Sequence, residues 1–244
     1  TGVVAYGANG TLKYNDVTAQ TPTIAEFPTA SGPKHLIIDN AAGVNFPGSF
    51  AKTLTGDLTL TSGTLNDGGN VLTVQGSILG TGTHSSTGSG RIFLNGNFPG
   101  ISGATLGNVR INNPTTLTFT GAATVNGTFD QGGFNPVSIA SGGNTLTFAG
   151  DFLTNGAVTL TGGGTVKMTG SAKTLNIGNA SLNHLEIATG ASTTLSGALT
   201  LAGNLTLNGT LSYNGTTTLA GDILGTGTQS GTGGFTMTGA NKSV

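Results

Sequence analysis

Charge is what this sequence has least of. Its 8 Lys and Arg and 9 Asp and Glu make up 7% of 244 residues, with a net charge of −1, against roughly a quarter in ordinary globular chains. A nucleic-acid binder needs a basic field to release phosphate counterions, and none is available. Cysteine is absent, which removes disulfides, thiol catalysis and Cys-ligated metals. No run of eighteen apolar residues occurs, so no membrane-spanning helix is expected. Residues 1–30 lack a basic start and an apolar stretch behind it, so no signal peptide is recognisable within them.

What is there is glycine, threonine and asparagine. Glycine occurs 44 times, threonine equals it, and asparagine is half as frequent, so three residue types make up nearly half the chain. That composition opposes helix and coiled coil. Glycine does not recur at every third position, so collagen is excluded. Disorder is disfavoured by the 35% apolar content and near-zero net charge. The apolar residues recur at short, regular intervals.

Self-comparison finds a repeat. Gly90-Arg-Ile-Phe-Leu-Asn-Gly96 matches Gly164-Thr-Val-Lys-Met-Thr-Gly170, and both resemble segments starting at Gly10 and Gly233, the last opening a partial unit. Leu36, Val109 and Leu185, in Lys34-His-Leu-Ile-Ile38, Asn108-Val-Arg-Ile111 and Asn183-His-Leu-Glu-Ile187, keep nearly the same spacing. A third landmark ends at Gly76, Gly150 and Gly221. The chain therefore carries about three copies of a unit of roughly 73 residues.

Within each unit, triplets such as Leu58-Thr-Leu60, Leu72-Thr-Val74 and Leu205-Thr-Leu207 alternate apolar and polar residues, which is strand period. Asn-Gly, Gly-Gly and Ser-Gly pairs separate them. Strands so short gain little from one hairpin partner but become stable when each stacks on its counterpart one coil above, about 4.8 Å away. The pattern predicts an all-β fold, a single β-solenoid domain over residues 1–244. Its expected form is a right-handed parallel β-helix of about 20–24 residues per coil. Each unit would span three or so coils, and the whole rod about eleven coils and ~50 Å. A β-sandwich or jelly roll is the alternative fold.

The composition then acquires a reason. Glycine suits coil corners with positive φ. Asparagine tolerates the same left-handed geometry and can stack in ladders. Threonine is β-branched and offers an outward hydroxyl. Charge is scarce because equivalent positions of adjacent coils lie within ~5 Å, where like charges repel. The proline-bearing stretch 15–34 departs from the repeat and reads as a loop bulging from the rod, with a docking loop as the functional alternative. Partial units begin and end the chain, and no cap is visible in the sequence. The expectation is either a piece of a longer array or open solenoid ends that pair head to tail with a second copy, through Val3, Val4 and Tyr6 at one end and Gly234, Phe235, Met237 and Val244 at the other.

Candidates for chemistry are few. Asp57, Asp151 and Asp222 each follow glycine and read as corner residues; glycoside cleavage would need two carboxylates converging on one sugar. His35 and His184 occupy matching repeat positions, and His84 has no partner at metal-ligand spacing. Asn66-Asp-Gly-Gly-Asn70 groups oxygen donors without the spacing of a calcium loop. No cofactor, metal site or catalytic constellation is expected. Thr-x-Thr arrays at 59/61, 116/118/120, 145/147, 159/161 and 236/238 resemble the hydroxyl arrays of some ice-binding solenoids, but they recur irregularly along the sequence.

Leu58-Thr-Leu-Thr-Ser-Gly-Thr-Leu65, Asn70-Val-Leu-Thr-Val74 and Gly203-Asn-Leu-Thr-Leu-Asn-Gly-Thr-Leu211 resemble the repeats of large bacterial surface and secreted proteins. They are similar to autotransporter passengers and filamentous-haemagglutinin-type adhesins. The resemblance implies an extracellular or cell-surface bacterial β-helix, without enzymatic activity, acting in adhesion, matrix or fibre formation. The function expected is a structural subunit of an extracellular filament, a homopolymer of this chain. The alternative is an adhesin or carbohydrate-binding stalk segment of a longer secreted protein, partnered by cell surface or carbohydrate. An ice-binding solenoid and a polysaccharide-degrading β-helix are the minor readings.

Overall fold

The computed structural model describes residues 4–28, 30–97, 99–112, 116–133, 137–238 and 243. They form a parallel β-solenoid of about eleven coils with three sheets running its length. Sheet 1 has twelve strands, from Thr11–Tyr14 to Gly234–Met237. Sheet 2 has ten, from Val44–Asn45 to Ile223–Leu224, and sheet 3 has ten, from Lys52–Leu54 to Thr228–Ser230. Beyond Thr11–Tyr14, each coil visits sheets 1, 2 and 3 in turn, and every strand pairs in parallel with its counterparts in the adjacent coils.

The alternation seen in the sequence decides what faces inward. In Leu58–Ser62, Leu58 and Leu60 are buried while Thr59 and Thr61 face out. Inward residues stack in columns: Leu36 on Leu58, Leu58 on Ile78, Ile78 on Ile101, Ile101 on Phe119. All five are sealed from solvent. Each removes a side chain from water, worth roughly 1.5–3 kcal/mol, and lends a wall to the coils on either side. Phe129, Phe148 and Phe152 fill the middle of the rod, with centroids 4.5–5.7 Å apart.

The sequence unit does not fit a whole number of coils. The matching segments Arg91–Leu94, Thr165–Met168 and Gly234–Met237 are the tenth, twenty-first and thirty-second strands. His35–Asp39, Val109–Ile111 and His184–Ile187 are the second, thirteenth and twenty-fourth. A unit therefore spans eleven strands, or three and two-thirds coils, where the sequence suggested three or so. Equivalent segments land on successive sheets: Arg91–Leu94 in sheet 3, Thr165–Met168 in sheet 2, Gly234–Met237 in sheet 1. Coil length varies with the corners. The step from Ile92 to its partner Val109 is short and that from Phe129 to Phe152 long. Toward the end of the rod the step becomes constant, as from Leu199 to Thr217, Leu205 to Ile223 and Thr217 to Phe235.

One sequence expectation gains detail and another needs revision. Among its described residues, segment 15–34 contains no strand; Val17 and Ile24 stand exposed, while other parts of it pack on the rod. Gln20 bridges Val44 on the sheet 2 side, and Phe27 lies buried against Phe46 and Phe50 at 6.3 and 6.0 Å, edge to face. Lys52 lies over Phe50 with Nζ 4.2 Å from the ring centroid. Asparagine does not supply left-handed corners: among the described residues, the non-glycine residues at positive φ are Ser31, Ser49 and Ala172. Instead its carboxamide ties coils together. Asn70 Nδ2 donates to Asp67 O in its own corner and Pro47 O one coil back; Asn144, one unit on, does the same with Ser141 O and Phe119 O.

Candidate functional site

The corners absorb most of the residues that could have carried chemistry. In each repeat one side chain at the start of the landmark strand, or just ahead of it, accepts a backbone N–H from the next coil. His35 Nδ1 accepts from Asp57, Asn108 Oδ1 from Thr128, and His184 Nδ1 from Asn204, at 2.9–3.0 Å. The relay continues: Asp57 Oδ1 accepts from Ser77 N, Asn204 Oδ1 from Asp222 N, and Asp222 Oδ1 from Ser243 N. Asp151 Oδ1 does likewise with Thr174 N. Asp57, Asp151 and Asp222 precede strands of sheets 1, 3 and 2 respectively, so they stand at three different corners and do not converge.

His84 and Asp67 are the one fully enclosed ionisable pair among the described residues. His84 Nδ1 accepts Gly107 N–H. Its Nε2 lies 3.2 Å from Asp67 Oδ2, poorly aligned for a hydrogen bond, with both side chains sealed from solvent. Burial pushes the Asp67 carboxyl up. The close His84 imidazole and hydrogen bonds from Gly69, Ser86 and Thr87 outweigh it and hold the group below the ordinary carboxylate value. Sealed from solvent, with Nδ1 occupied by Gly107 N–H and Nε2 set against Asp67, His84 belongs to the framework of the corner and does not face an open site. No group of three or more His, Cys, Asp or Glu among the described residues could hold a metal ion.

Those of the expected assembly residues that are described lie toward the two ends of the rod. Gly234, Phe235 and Met237 are on the outermost strand of sheet 1, where Phe235 and Met237 are only partly buried against the core. Phe235 stacks on Tyr213 with centroids 6.1 Å apart. Val4 is 46% exposed and donates its N–H to Ala25 O. Tyr6 has a framework contact, donating its hydroxyl to Glu26 O at 2.6 Å; burial and the nearby Glu26 raise its pKa. Val3 and Val244 lie outside the described residues.

The threonine pairs are more ordered in space than in sequence. On the outer face of sheet 1, Thr116, Ser138, Thr159, Ser181, Thr200, Thr218 and Thr236 are consecutive partners. They form an unbroken ladder of seven hydroxyls. The pair Thr145 and Thr147 lies apart from it on sheet 2.

Comparison with protein-family models, curated proteins and solved structures finds no match.

One cluster emerges only in three dimensions. Alternation within Arg91–Leu94 turns Arg91 and Phe93 outward on sheet 3, and register places Phe93 between Thr73 and Arg110. Arg110 faces Asp130 one coil on and holds it through Nε at 2.9 and 3.0 Å and through Nη2. That pairing raises the Arg110 pKa. Val71, Arg91, Phe93 and Arg110 enclose a shallow depression of about 290 Å³. The outward parity of 91, 93 and 110 was readable from the alternation; their adjacency was not, because it depends on the unusually short coil between them.

Proposed function

We propose that this chain is a structural, non-enzymatic building block of a bacterial extracellular or surface fibre, joining a second copy end to end through its terminal coils. The observation that carries the reading is the distribution of exposed apolar side chains. Among the described residues, five large hydrophobics are exposed: Val4 46%, Val17 89%, Ile24 69%, Leu79 37% and Leu224 40%. All but Leu79 lie in the first or last coil. Unpaired strand edges flanked by such residues favour association over solvent. The outermost strands of sheet 1, Thr11–Tyr14 and Gly234–Met237, belong to equivalent sequence segments and to one sheet. A copy stacked by translation alone would continue that sheet, and a repeated heterologous contact of this kind makes an open filament. The resemblance to haemagglutinin-type and autotransporter repeats agrees with an extracellular role.

Negative-stain microscopy and sedimentation across a range of concentrations test the proposal. Unbranched fibres of even width are expected from the native chain. The double variant Leu224→Asp, Phe235→Asp should give short rods with unchanged far-ultraviolet dichroism. Native protein that stays monomeric at high concentration would refute the reading.

The hydroxyl ladder favours a second reading, in which the outer face of sheet 1 binds an ordered lattice such as ice. Thermal hysteresis and ice shaping by the native chain, abolished in Thr159→Lys, Thr200→Lys, are the results that reading requires.

A further inference from the structure

We propose that the depression around Arg91 and Phe93 on sheet 3 is a binding site for an acidic polysaccharide, taking a carboxylated pyranose unit of a hexuronan chain. The site lies on the second to fourth of the ten strands of sheet 3 and does not depend on association at the ends.

Among the described residues Phe93 is the only phenyl or phenol side chain on a strand that points away from the core; the others on strands turn inward. An outward phenyl ring has lost part of the burial that would justify it. It also stands on a face whose neighbouring position, Thr73, follows the ordinary threonine pattern. Beside it is Arg91, for which the described residues provide no acidic partner. Its only side-chain hydrogen bond among them runs from Nε to Ser89 O at 3.2 Å. The terminal nitrogens of its guanidinium are left for a ligand. The second cation, Arg110, is already neutralised by Asp130, so the patch carries one uncompensated positive charge.

The chemistry that fits is narrow. A guanidinium fork matches a carboxylate in two parallel hydrogen bonds. A phenyl face beside Val71 offers a flat apolar surface to the axial C–H groups of a sugar ring. Around it stand groups that can exchange hydrogen bonds with hydroxyls. A second hollow of about 220 Å³, sharing Arg91 and lined by Ser89, Asn108, Thr128 and Asp130, adjoins the first and gives a chain somewhere to continue. An extended peptide is a poor candidate. The strand Arg91–Leu94 is paired on both edges, with Val71–Val74 and Val109–Ile111, so no backbone is free for strand addition.

Isothermal titration calorimetry on the full chain, at low and at physiological salt, tests the proposal with tetragalacturonate, cellotetraose and poly-glutamate as probes. Tetragalacturonate should bind, with affinity falling as salt rises, and cellotetraose should bind at least about tenfold more weakly. Arg91→Gln and Phe93→Thr should each lower the tetragalacturonate affinity by about tenfold or more, while far-ultraviolet dichroism stays native. Both side chains face outward, and threonine already occupies the adjacent position at Thr73, so the fold tolerates the changes. Absence of tetragalacturonate binding, unchanged affinity in either variant, or poly-glutamate binding as tightly would overturn it.

Discussion

Excising residues 91–164 removes one eleven-strand unit and joins Gly90 to Thr165 in a context that already exists at both places. If strand count alone sets the sheet a strand joins, Thr165–Met168 will leave sheet 2 and take the sheet 3 position of Arg91–Leu94. Every later strand will move round by a third of a turn. Native pairings downstream survive the move, because all partners shift together. At the junction Val166 replaces Ile92 over Leu72, and Leu175 takes the place of Ile101 over Ile78, apolar for apolar. The excision should shorten the rod by three and two-thirds coils, ~18 Å at ~4.8 Å per coil. It should also lower the denaturant m-value by about 30%, in proportion to the surface lost. A cross-link reads the phase directly, since the chain has no cysteine of its own. Lys167 would occupy the position of Phe93 and face Thr73. Thr73→Cys with Lys167→Cys in the shortened chain places two Cα atoms ~4.8 Å apart, within disulfide range. In the intact chain the two residues sit on different sheets and cannot meet. A folded, shortened rod that fails to form this disulfide under oxidising conditions would refute strand counting. It would mean that side-chain matching to one sheet overrides it.

Three further outcomes are expected. Gly63 has φ +72 and its Cβ would collide with the Asn40 carbonyl, so Gly63→Ala should cost at least ~2 kcal/mol in chemical denaturation. Phe148→Ala should cost about 3–5 kcal/mol by removing a ring packed on both Phe129 and Phe152; a loss below ~1 kcal/mol would show that the mid-rod core is not tightly packed. Asp67 binds its proton less readily when folded than its ordinary value of 3.8 implies, so its stabilising contribution is present above about pH 4 and is lost as pH falls through the folded value. The urea midpoint of Asp67→Asn should therefore lie below that of the native chain at neutral pH and approach it under acid.

The strands were legible because alternation is a local signal: Leu58-Thr-Leu60 and Leu205-Thr-Leu207 declare their inward faces whatever surrounds them. The period was legible too, since landmark spacing survives changes in corner length. The eleven-strand phase was not, because it requires counting sides, and segment 15–34 interrupts the strand pattern. Phe27 reads as a loop residue until Phe46 and Phe50 are brought around it by the next coil. The role of asparagine was missed for a related reason. Asn70 and Asn144 reach carbonyls one coil away, on Pro47 and Phe119, and no local propensity reports such a bond. Charge was read more nearly right. In-register neighbours that are charged carry opposite signs, as in Lys167 with Glu186 and Arg110 with Asp130.

A unit of eleven strands on a three-sided rod also shapes how such a protein can evolve. Tandem duplication does not extend a surface along the rod; it rotates the copy onto the next side. An advantageous residue gained before duplication is inherited on a different face from its parent, and only the third descendant returns to the original one. A patch such as that around Phe93 therefore tends to stay solitary on its face. A long stripe on one face, such as the hydroxyl ladder of sheet 1, must be assembled from unlike parts of the ancestral unit.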